Sequence, residues 1–256
     1  MTGDKLTLFH DHFSSVSKQY ARYRPIYPDE LFDWLASVVP GRNLAWDCAT
    51  GTGQAATGLA SRFNSVVATD ASPEQIAETV PHPRISYYTA SAYSSGLDDG
   101  SADLITVAQA MHWFDIDRFF REAERVLGPR GVLAVWTYGP LSVDDELINP
   151  LIREFASNTL GLWWPEEWAT IDAGKGAIVI PFERIPAPEM RMSVRWTFEE
   201  LLGHVRTWSA VTRYIRIKTN DPVTSLASPM LQAWGNPACR KTVTWTLLLT
   251  AGRNQG

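Results

Sequence analysis

A glycine-rich turn between two acidic residues carries the clearest chemical signal in the sequence. Gly51 and Gly53 lie in the stretch Leu44–Ser72, which reads LAWDCATGTGQAATGLASRFNSVVATDAS. Glycines at this spacing allow a tight turn and a close approach of the backbone to a ligand. Asp47 precedes the turn, and Asp70 ends the apolar run that follows it. The pattern predicts a site for a nucleotide-like ligand.

Two kinds of ligand fit such a turn, and Asp47 distinguishes between them. The run Gly51-Thr-Gly53-Gln-Ala-Ala56 nearly matches the G-x-G-x-x-G of dinucleotide-binding turns, in which a pyrophosphate meets the helix N-terminus. A carboxylate at Asp47 would repel that pyrophosphate by on the order of several kcal/mol in a partly desolvated site. It would attract the ammonium and sulfonium of S-adenosylmethionine, whose ribose suits Asp70. A structural role, in which Asp47 caps a turn or helix, is the alternative.

Short apolar runs alternate with helical patterns from Asp29 to about Tyr138, and these elements must position the turn. Five of the runs predict strands: NLAWDC, SVVATD, RISYYTA, ADLITVAQA and VLAVWTY. Strands separated by helices indicate βαβ units with right-handed crossovers and a parallel sheet covered on both faces. Ligands bind beyond the carboxyl ends of the strands in such sheets. We therefore expect the turn and Asp70 to meet at one edge of the sheet.

The alternation ends after Tyr138, which predicts a change in organisation. Residues 1–139 are expected to form N-terminal helices and the cofactor-binding core. Residues 140–195 combine a helical pattern, a tryptophan-rich stretch and a proline-punctuated run, and predict a helical and aromatic cap insertion. Residues 196–256 are expected to supply C-terminal helices, beginning at a capping-box pattern, and the closing strand RKTVTWTLLLT.

The composition of the sequence disfavours several classes of binding partner. The net charge of −5 gives no basic footprint for duplex nucleic acid. The sequence shows no secretory signal and no apolar span of membrane-crossing length, and its two cysteines lack metal-ligand spacing. We expect a cytoplasmic monomer or homodimer with a small-molecule acceptor as partner, without nucleic acid, membrane or metal.

Four stretches in order resemble the successive motifs of class I S-adenosylmethionine-dependent methyltransferases: WDCATGTGQ, VVATDAS, SADLITVAQAMHWFD and RVLGPRGVLAVW. The stretches YARYRPIYPDEL and LLGHVRTWSAVTRY resemble the trans-aconitate methyltransferase-like subgroup, a group of methyltransferase type 11-like proteins. The resemblance covers Phe13 to Arg253. It implies a Rossmann-like, doubly wound α/β fold whose seven-stranded sheet is mostly parallel, with an antiparallel last strand.

The resemblance also implies which residues contact S-adenosylmethionine. Those expected around its methionine end are Asp47, Gly51, Gly53, Gln54 and Gln109. Those expected at its ribose and adenine are Asp70, Ala71, Ala92 and Tyr93. Tyr20 and Arg24 lie in a segment expected to fold over the cofactor, where the Arg24 guanidinium could hold the methionine carboxylate or a substrate carboxylate with two hydrogen bonds. A solvated surface arginine and a packing tyrosine are the alternatives.

Two residues depart from the family pattern. Ala49 stands where many members have the first glycine of the turn, so the turn must accommodate a Cβ atom. Tyr93 stands where an acidic residue is common, so an adenine or ribose contact is lost or replaced by stacking.

Methyl transfer is an in-line displacement, for which the protein supplies orientation and, for some acceptors, a base. His112 directly follows the fourth predicted strand and is the candidate base or acceptor-orienting residue; a packing histidine is the alternative. The candidate walls of an acceptor pocket are Trp113, Tyr138, Trp163 and Trp164. Aromatic residues in a cap are also well explained as its small core.

These features together predict a methyltransferase for a small molecule, with an O- or carboxyl acceptor favoured. A nicotinamide-dependent oxidoreductase is one alternative. The other is a catalytically silent protein that binds S-adenosylmethionine.

Overall fold

The computed structural model describes residue 23 and residues 25–164 and 179–256. They belong to two compact units. The core unit comprises Ile26–Gly139, Leu247–Gly256 and the described part of Gly174–Met190. The second unit comprises Arg191–Thr246 and the described parts of Met1–Pro25 and Pro140–Ala173. The boundary at Gly139 lies where the sequence pattern changes, whereas the predicted segments 140–195 and 196–256 are each distributed over both units.

The strands of the described residues are β1 Leu44–Cys48, β2 Ser65–Asp70, β3 Ile85–Thr89, β4 Ala102–Ala108, β5 Leu127–Tyr138, β6 Ser142–Val143, β7 Glu183–Ile185, β8 Met190–Trp196 and β9 Lys241–Arg253. The helices are α1 Asp29–Val38, α2 Gln54–Ala60, α3 Pro73–Ala77, α4 Ile116–Val126, α5 Ile148–Glu154, α6 Phe198–Arg206, α7 Ser209–Lys218 and α8 Val223–Trp234. The helices of residues 29–126 are those that the sequence pattern predicts.

Seven of the nine described strands of the sheet lie wholly or mostly in the core unit, in the order β3-β2-β1-β4-β5-β9-β7. Strands β1 to β5 are parallel to one another, and β9 is antiparallel to both β5 and β7. The predicted Rossmann-like sheet with an antiparallel last strand is confirmed. In the second unit, β6 and β8 pair with the earlier part of β9.

Helix α4 shows how the apolar pattern builds the core. Phe119, Ala123 and Val126 are fully buried and pack in one cluster with residues of β1, β4 and β5. Burial of the larger two side chains, Phe119 and Val126, stabilises the fold by roughly 1.5–3 kcal/mol each. Asp115 begins the helix, since its side chain accepts a hydrogen bond from the backbone amide of Arg118.

Strand β5 begins earlier than the sequence predicts. GPRG, expected to lie between α4 and the strand, falls inside β5, which starts at Leu127. The register with β4 shifts between Ala102 and Leu104, and Arg130 adopts a φ of 62°. At this irregularity β5 contains extra residues that have no partner in β4, as in a β-bulge.

Two helices begin at residues whose side chains cap them. Ser72 accepts a hydrogen bond from the Gln75 amide at the start of α3, directly before Pro73. Thr197 and Glu200 form the predicted capping box of α6. Within the described ranges, no helix has the length and apolar character needed to cross a membrane.

Candidate cofactor site

The strand register brings the chemically interesting residues of the core unit to one edge. Cys48 at the end of β1 pairs with Thr69 of β2 on one side and with Val107 of β4 on the other. The turn after β1, Asp70, and the residues that follow β4 therefore meet at the carboxyl edge of the sheet. This is where open parallel sheets bind their ligands.

The turn after β1 uses three residues with left-handed backbone conformations. Ala49, Gly51 and Gly53 have φ angles of 55°, 57° and 87°. The turn is closed by hydrogen bonds from the Thr50 amide to the Thr69 carbonyl, 2.9 Å, and from the Gly53 amide to the Thr50 carbonyl, 3.0 Å. Ala49 accommodates its Cβ atom, as the sequence requires, at a cost of about 1–2 kcal/mol relative to the usual conformation.

Gly53 is constrained by a residue that sequence reasoning missed. A Cβ atom added at Gly53 would lie 2.7 Å from the Tyr87 hydroxyl oxygen. Tyr87 belongs to β3, and burial raises the pKa of its hydroxyl. The alternation of side chains along RISYYTA could have indicated that Tyr87 and Tyr88 face opposite sides of the sheet, but not which one meets the turn.

Asp70 links the turn to the end of β2. Its two carboxylate oxygens accept hydrogen bonds from the Gly51 amide, 2.8 Å, and from the Ser72 amide, 2.9 Å. The side chain is nearly buried, and this burial raises its pKa, while the amide hydrogen bonds oppose the rise. Asp70 thus shapes the turn, and ribose binding by the same carboxylate stays a prediction.

Asp47 lies inside the sheet layer and is fully buried. One carboxylate oxygen accepts a hydrogen bond from the Thr50 hydroxyl at 2.5 Å, and the other from the Thr106 hydroxyl at 2.8 Å. These contacts support the structural alternative, in which Asp47 holds the turn. Its contact with a positively charged ligand stays a prediction. Thr106 was not predicted, although a polar residue inside the apolar run ADLITVA could have indicated it.

Burial raises the pKa of Asp47 from 3.8 to about 6, against the lowering effect of the Thr50 and Thr106 hydroxyls. Between these two values the unfolded chain is ionised at this position and the folded chain is protonated. The contribution of Asp47 to stability is therefore fully present below about pH 4 and is lost as the pH rises to about 6.

We expect Asp47→Asn to remove this dependence. Relative to the variant, the wild type should lose up to about 3 kcal/mol of unfolding free energy between pH 4 and pH 6, and no more above it. Urea unfolding of both proteins across this range measures the difference. A difference that is constant with pH would contradict the assignment.

The predicted adenine-edge residues lie in the loop after β3. Ala92 and Tyr93 are partly buried against the α4 cluster. The Tyr93 hydroxyl accepts a hydrogen bond from the Asp115 amide at 2.7 Å. The Arg118 guanidinium lies 4.5 Å from the centre of the Tyr93 ring. These contacts direct the ring towards α4, and adenine stacking on it stays a prediction. Ala71 is exposed directly after β2.

Gln109 occupies the position after β4 with a φ of 59°. Its side-chain oxygen accepts a hydrogen bond from the Thr137 hydroxyl at 3.0 Å. Its side-chain nitrogen is buried without a hydrogen-bond partner in the described part of the chain. A buried donor of this kind is costly unless a ligand or water accepts from it. Gln54 begins α2 and lines a surface cavity of about 450 Å³ together with Tyr27 and Phe32.

The candidate acceptor-site residues are not all in one unit. His112 and Trp113 form a short 3-10 turn after β4, with ring centres 4.8 Å apart. Tyr138 ends β5 and pairs with Leu247.

Trp163 and Trp164 belong to the second unit. Trp163 packs against Tyr214 with ring centres 5.0 Å apart, and Trp164 packs against Trp208 at 5.6 Å. The Trp164 indole donates a hydrogen bond to the Ala156 carbonyl. These contacts favour the alternative that both tryptophans form the core of that unit. Tyr20 and Arg24 lie outside the described residues.

The residues at this edge suit S-adenosylmethionine. Gly51 leaves backbone surface open, since among the described residues a Cβ atom there would meet nothing closer than the Gln75 side-chain oxygen at 3.7 Å. Asp70 supplies a carboxylate at this edge, and the described residues include no acceptor for the buried Gln109 side-chain amide.

Comparison with known proteins gives the same assignment. A family model described as a methyltransferase domain matches residues 46–135. A protein of Dictyostelium discoideum to which methyltransferase activity is ascribed is 31% identical over 231 residues, covering 89% of this chain and 88% of its own. An uncharacterized methyltransferase of Mycobacterium tuberculosis is 40% identical over 126 residues, about half of each chain.

A solved structure extends the similarity to nearly the whole chain. The structure of a type II methyltransferase candidate from Anaeromyxobacter dehalogenans is similar with a TM-score of 0.85 at 40% sequence identity. The match covers 90% of this chain and 98% of that chain. The chain therefore belongs to the class I S-adenosylmethionine-dependent methyltransferases and uses S-adenosylmethionine as its methyl donor.

Proposed function

We propose that the protein methylates a small molecule, with an oxygen or carboxylate acceptor favoured. The observation that supports this most directly is the convergence of the glycine turn, Asp70, Gln109 and His112 at the carboxyl edge of one sheet. S-adenosylmethionine supplies a methyl group that is already activated by the sulfonium. The chain has to orient the two reactants and exclude water.

Each residue at the edge would have a distinct part in this orientation. Asp70 would accept hydrogen bonds from the ribose hydroxyls, and the Gln109 amide would donate one at the methionine end. The open backbone at Gly51 would allow the cofactor to approach closely. Ala92 and Tyr93 would contact the adenine edge.

His112 would act as a general base only for acceptors that must lose a proton. A carboxylate acceptor is already nucleophilic and needs orientation alone, whereas a hydroxyl acceptor needs a base within hydrogen-bond reach. His112 follows Gln109 by three residues, and this short separation supports a position near the methionine end of the cofactor. A packing role for its ring is the alternative.

The net charge of the protein supports a small molecule as the methyl acceptor. The net charge of −5 disfavours a polyanionic acceptor such as RNA or DNA. The trans-aconitate methyltransferase-like subgroup, which favours an acid as acceptor, rests on the sequence resemblance. A cytoplasmic location and a monomeric or dimeric state belong to the same proposal.

The test uses S-adenosylmethionine labelled in the methyl group, incubated with the protein and a fractionated cell extract. Label should appear in the low-molecular-weight fraction. Label confined to RNA or protein would overturn the small-molecule proposal. Cofactor binding by calorimetry without any transfer would favour the catalytically silent alternative, and NAD binding as tight as that of S-adenosylmethionine would favour the oxidoreductase.

A further inference from the structure

Glu122 of α4 is a buried carboxylate that none of the methyl-transfer chemistry above uses. Its side chain is almost fully buried. One oxygen accepts hydrogen bonds from both the amide and the hydroxyl of Ser95, each at 2.7 Å. Arg125, one turn later on the helix, donates to both carboxylate oxygens at 2.8 and 2.9 Å. Hydrogen bonds from Arg125 and Ser95 hold the pKa of Glu122 well below its usual range, against the opposing effect of burial.

Besides Arg125 on its own helix, Glu122 contacts Ser95, which belongs to the loop after β3, residues 90–97. Arg125 extends the network, since it also donates to the Leu97 carbonyl at 2.8 Å and to the Asp99 carboxylate at 2.5 Å. The Ser95 carbonyl accepts a further hydrogen bond from the Tyr88 hydroxyl at 3.1 Å. The loop is thus tied at Ser95 and Leu97 by charged side chains of one helix.

A second attachment lies at the other end of the same helix. The Asp115 amide, at the start of α4, donates to the Tyr93 hydroxyl, and Arg118 covers the Tyr93 ring. Helix α4 therefore holds the loop at residues 93, 95 and 97, within and directly after the segment that the proposed function assigns to the adenine edge.

A buried ion pair often stabilises a protein no more than apolar residues of similar volume would. Stability alone therefore does not explain the Glu122–Arg125 pair. Its directional hydrogen bonds do fix the position of a loop. We infer that Glu122 is a positioning residue for cofactor recognition, which sets the loop of Ala92 and Tyr93 against the adenine base. The inference rests on the proposed function, since it takes the adenine edge to be bound there.

The test compares Glu122→Gln with Glu124→Gln, the same chemical change at an exposed position of the same helix. Glu122→Gln should raise the KM for S-adenosylmethionine about tenfold while kcat for bound cofactor changes less than about twofold. Glu124→Gln should match the wild type. Ser95→Ala keeps the Glu122–Arg125 pair and should shift KM in the same direction by a smaller factor, which provides a second variant if Glu122→Gln folds poorly.

The preference of the protein for adenine over another base distinguishes a loss of loop positioning from a general loss of stability. Calorimetry would compare S-adenosylhomocysteine with its analogue that carries hypoxanthine in place of adenine. Glu122→Gln, or Ser95→Ala in its place, should reduce the wild-type preference for adenine. Equal losses for both ligands, or no loss relative to Glu124→Gln, would overturn the inference. A wild type that binds neither ligand would instead overturn the proposed function.

Discussion

Replacing Asp70 with alanine is expected to lower the affinity for S-adenosylmethionine at least tenfold. Hydrogen bonds from ribose hydroxyls to a carboxylate are each worth about 1.5–3 kcal/mol, and about 1.4 kcal/mol corresponds to a factor of ten. The variant should also lose stability, because the amides of Gly51 and Ser72 lose their acceptor. An unpaired buried amide costs about 1–3 kcal/mol. Calorimetric titration and urea unfolding measure the two effects separately.

Asp103→Ala is the matched control for these two effects. Asp103 also accepts from two backbone amides, those of Asn43 at 2.7 Å and Leu44 at 3.3 Å. It lies near the amino end of β4, at the edge of the sheet opposite to Asp70. Its alanine variant should lose stability while keeping cofactor affinity. If both variants reduced affinity equally, Asp70 would be a structural residue without a ligand contact.

Replacing Gly53 with alanine is expected to reduce cofactor affinity about a hundredfold and to destabilise the protein. The left-handed conformation at Gly53 costs an alanine about 1–2 kcal/mol. The new Cβ atom would also lie 2.7 Å from the Tyr87 hydroxyl and 2.9 Å from the Tyr87 ring. Overpacking of this kind typically costs about 1–3 kcal/mol. The turn must move to relieve the contact, and a displacement of about 1 Å can misplace a bound reactant enough to matter a hundredfold.

Two further variants separate the conformational cost from the contact. Gly100 also has a positive φ, 64°, and the one described atom within 4 Å of a Cβ added there is the Gly128 Cα atom at 3.9 Å. Gly100→Ala should therefore lose stability but not affinity. Adding Tyr87→Leu to Gly53→Ala removes the obstructing ring and should recover part of the affinity. No recovery in the double variant would show that the backbone conformation alone controls the turn.

The sheet could be predicted from the sequence because each strand is a short apolar run bounded by turn or helix signals. The parallel order of the strands predicted that the turn and Asp70 meet at the carboxyl edge, and the family resemblance added Gln109. The start of β5 could not be predicted, since GPRG normally ends an element and is here accommodated in a bulge through the left-handed Arg130. Such a bulge depends on the neighbouring strand.

The contacts of the buried residues of the site could not be predicted, because the sequence does not show which face of the sheet each strand residue occupies. The sequence indicated a functional or structural role for Asp47. Its burial and its hydrogen bond from the Thr106 hydroxyl depend on the register of β1 and β4. Tyr87 and Glu122 contribute through contacts with residues distant in sequence. Neither residue type is unusual for a strand or an amphipathic helix, so the sequence pattern carried no signal for them.

The placement of β9 has a consequence for how the chain folds. Val132 of β5 pairs with Arg253, and Tyr138 pairs with Leu247, so these partners are more than one hundred residues apart. Until that closure occurs, the backbone groups of β5 along this side have no partner strand, and such an edge is open to pairing with other chains. Contacts of such long sequence separation slow folding. We therefore expect assembly of the sheet to be completed late and the partly folded chain to be the species most prone to aggregation.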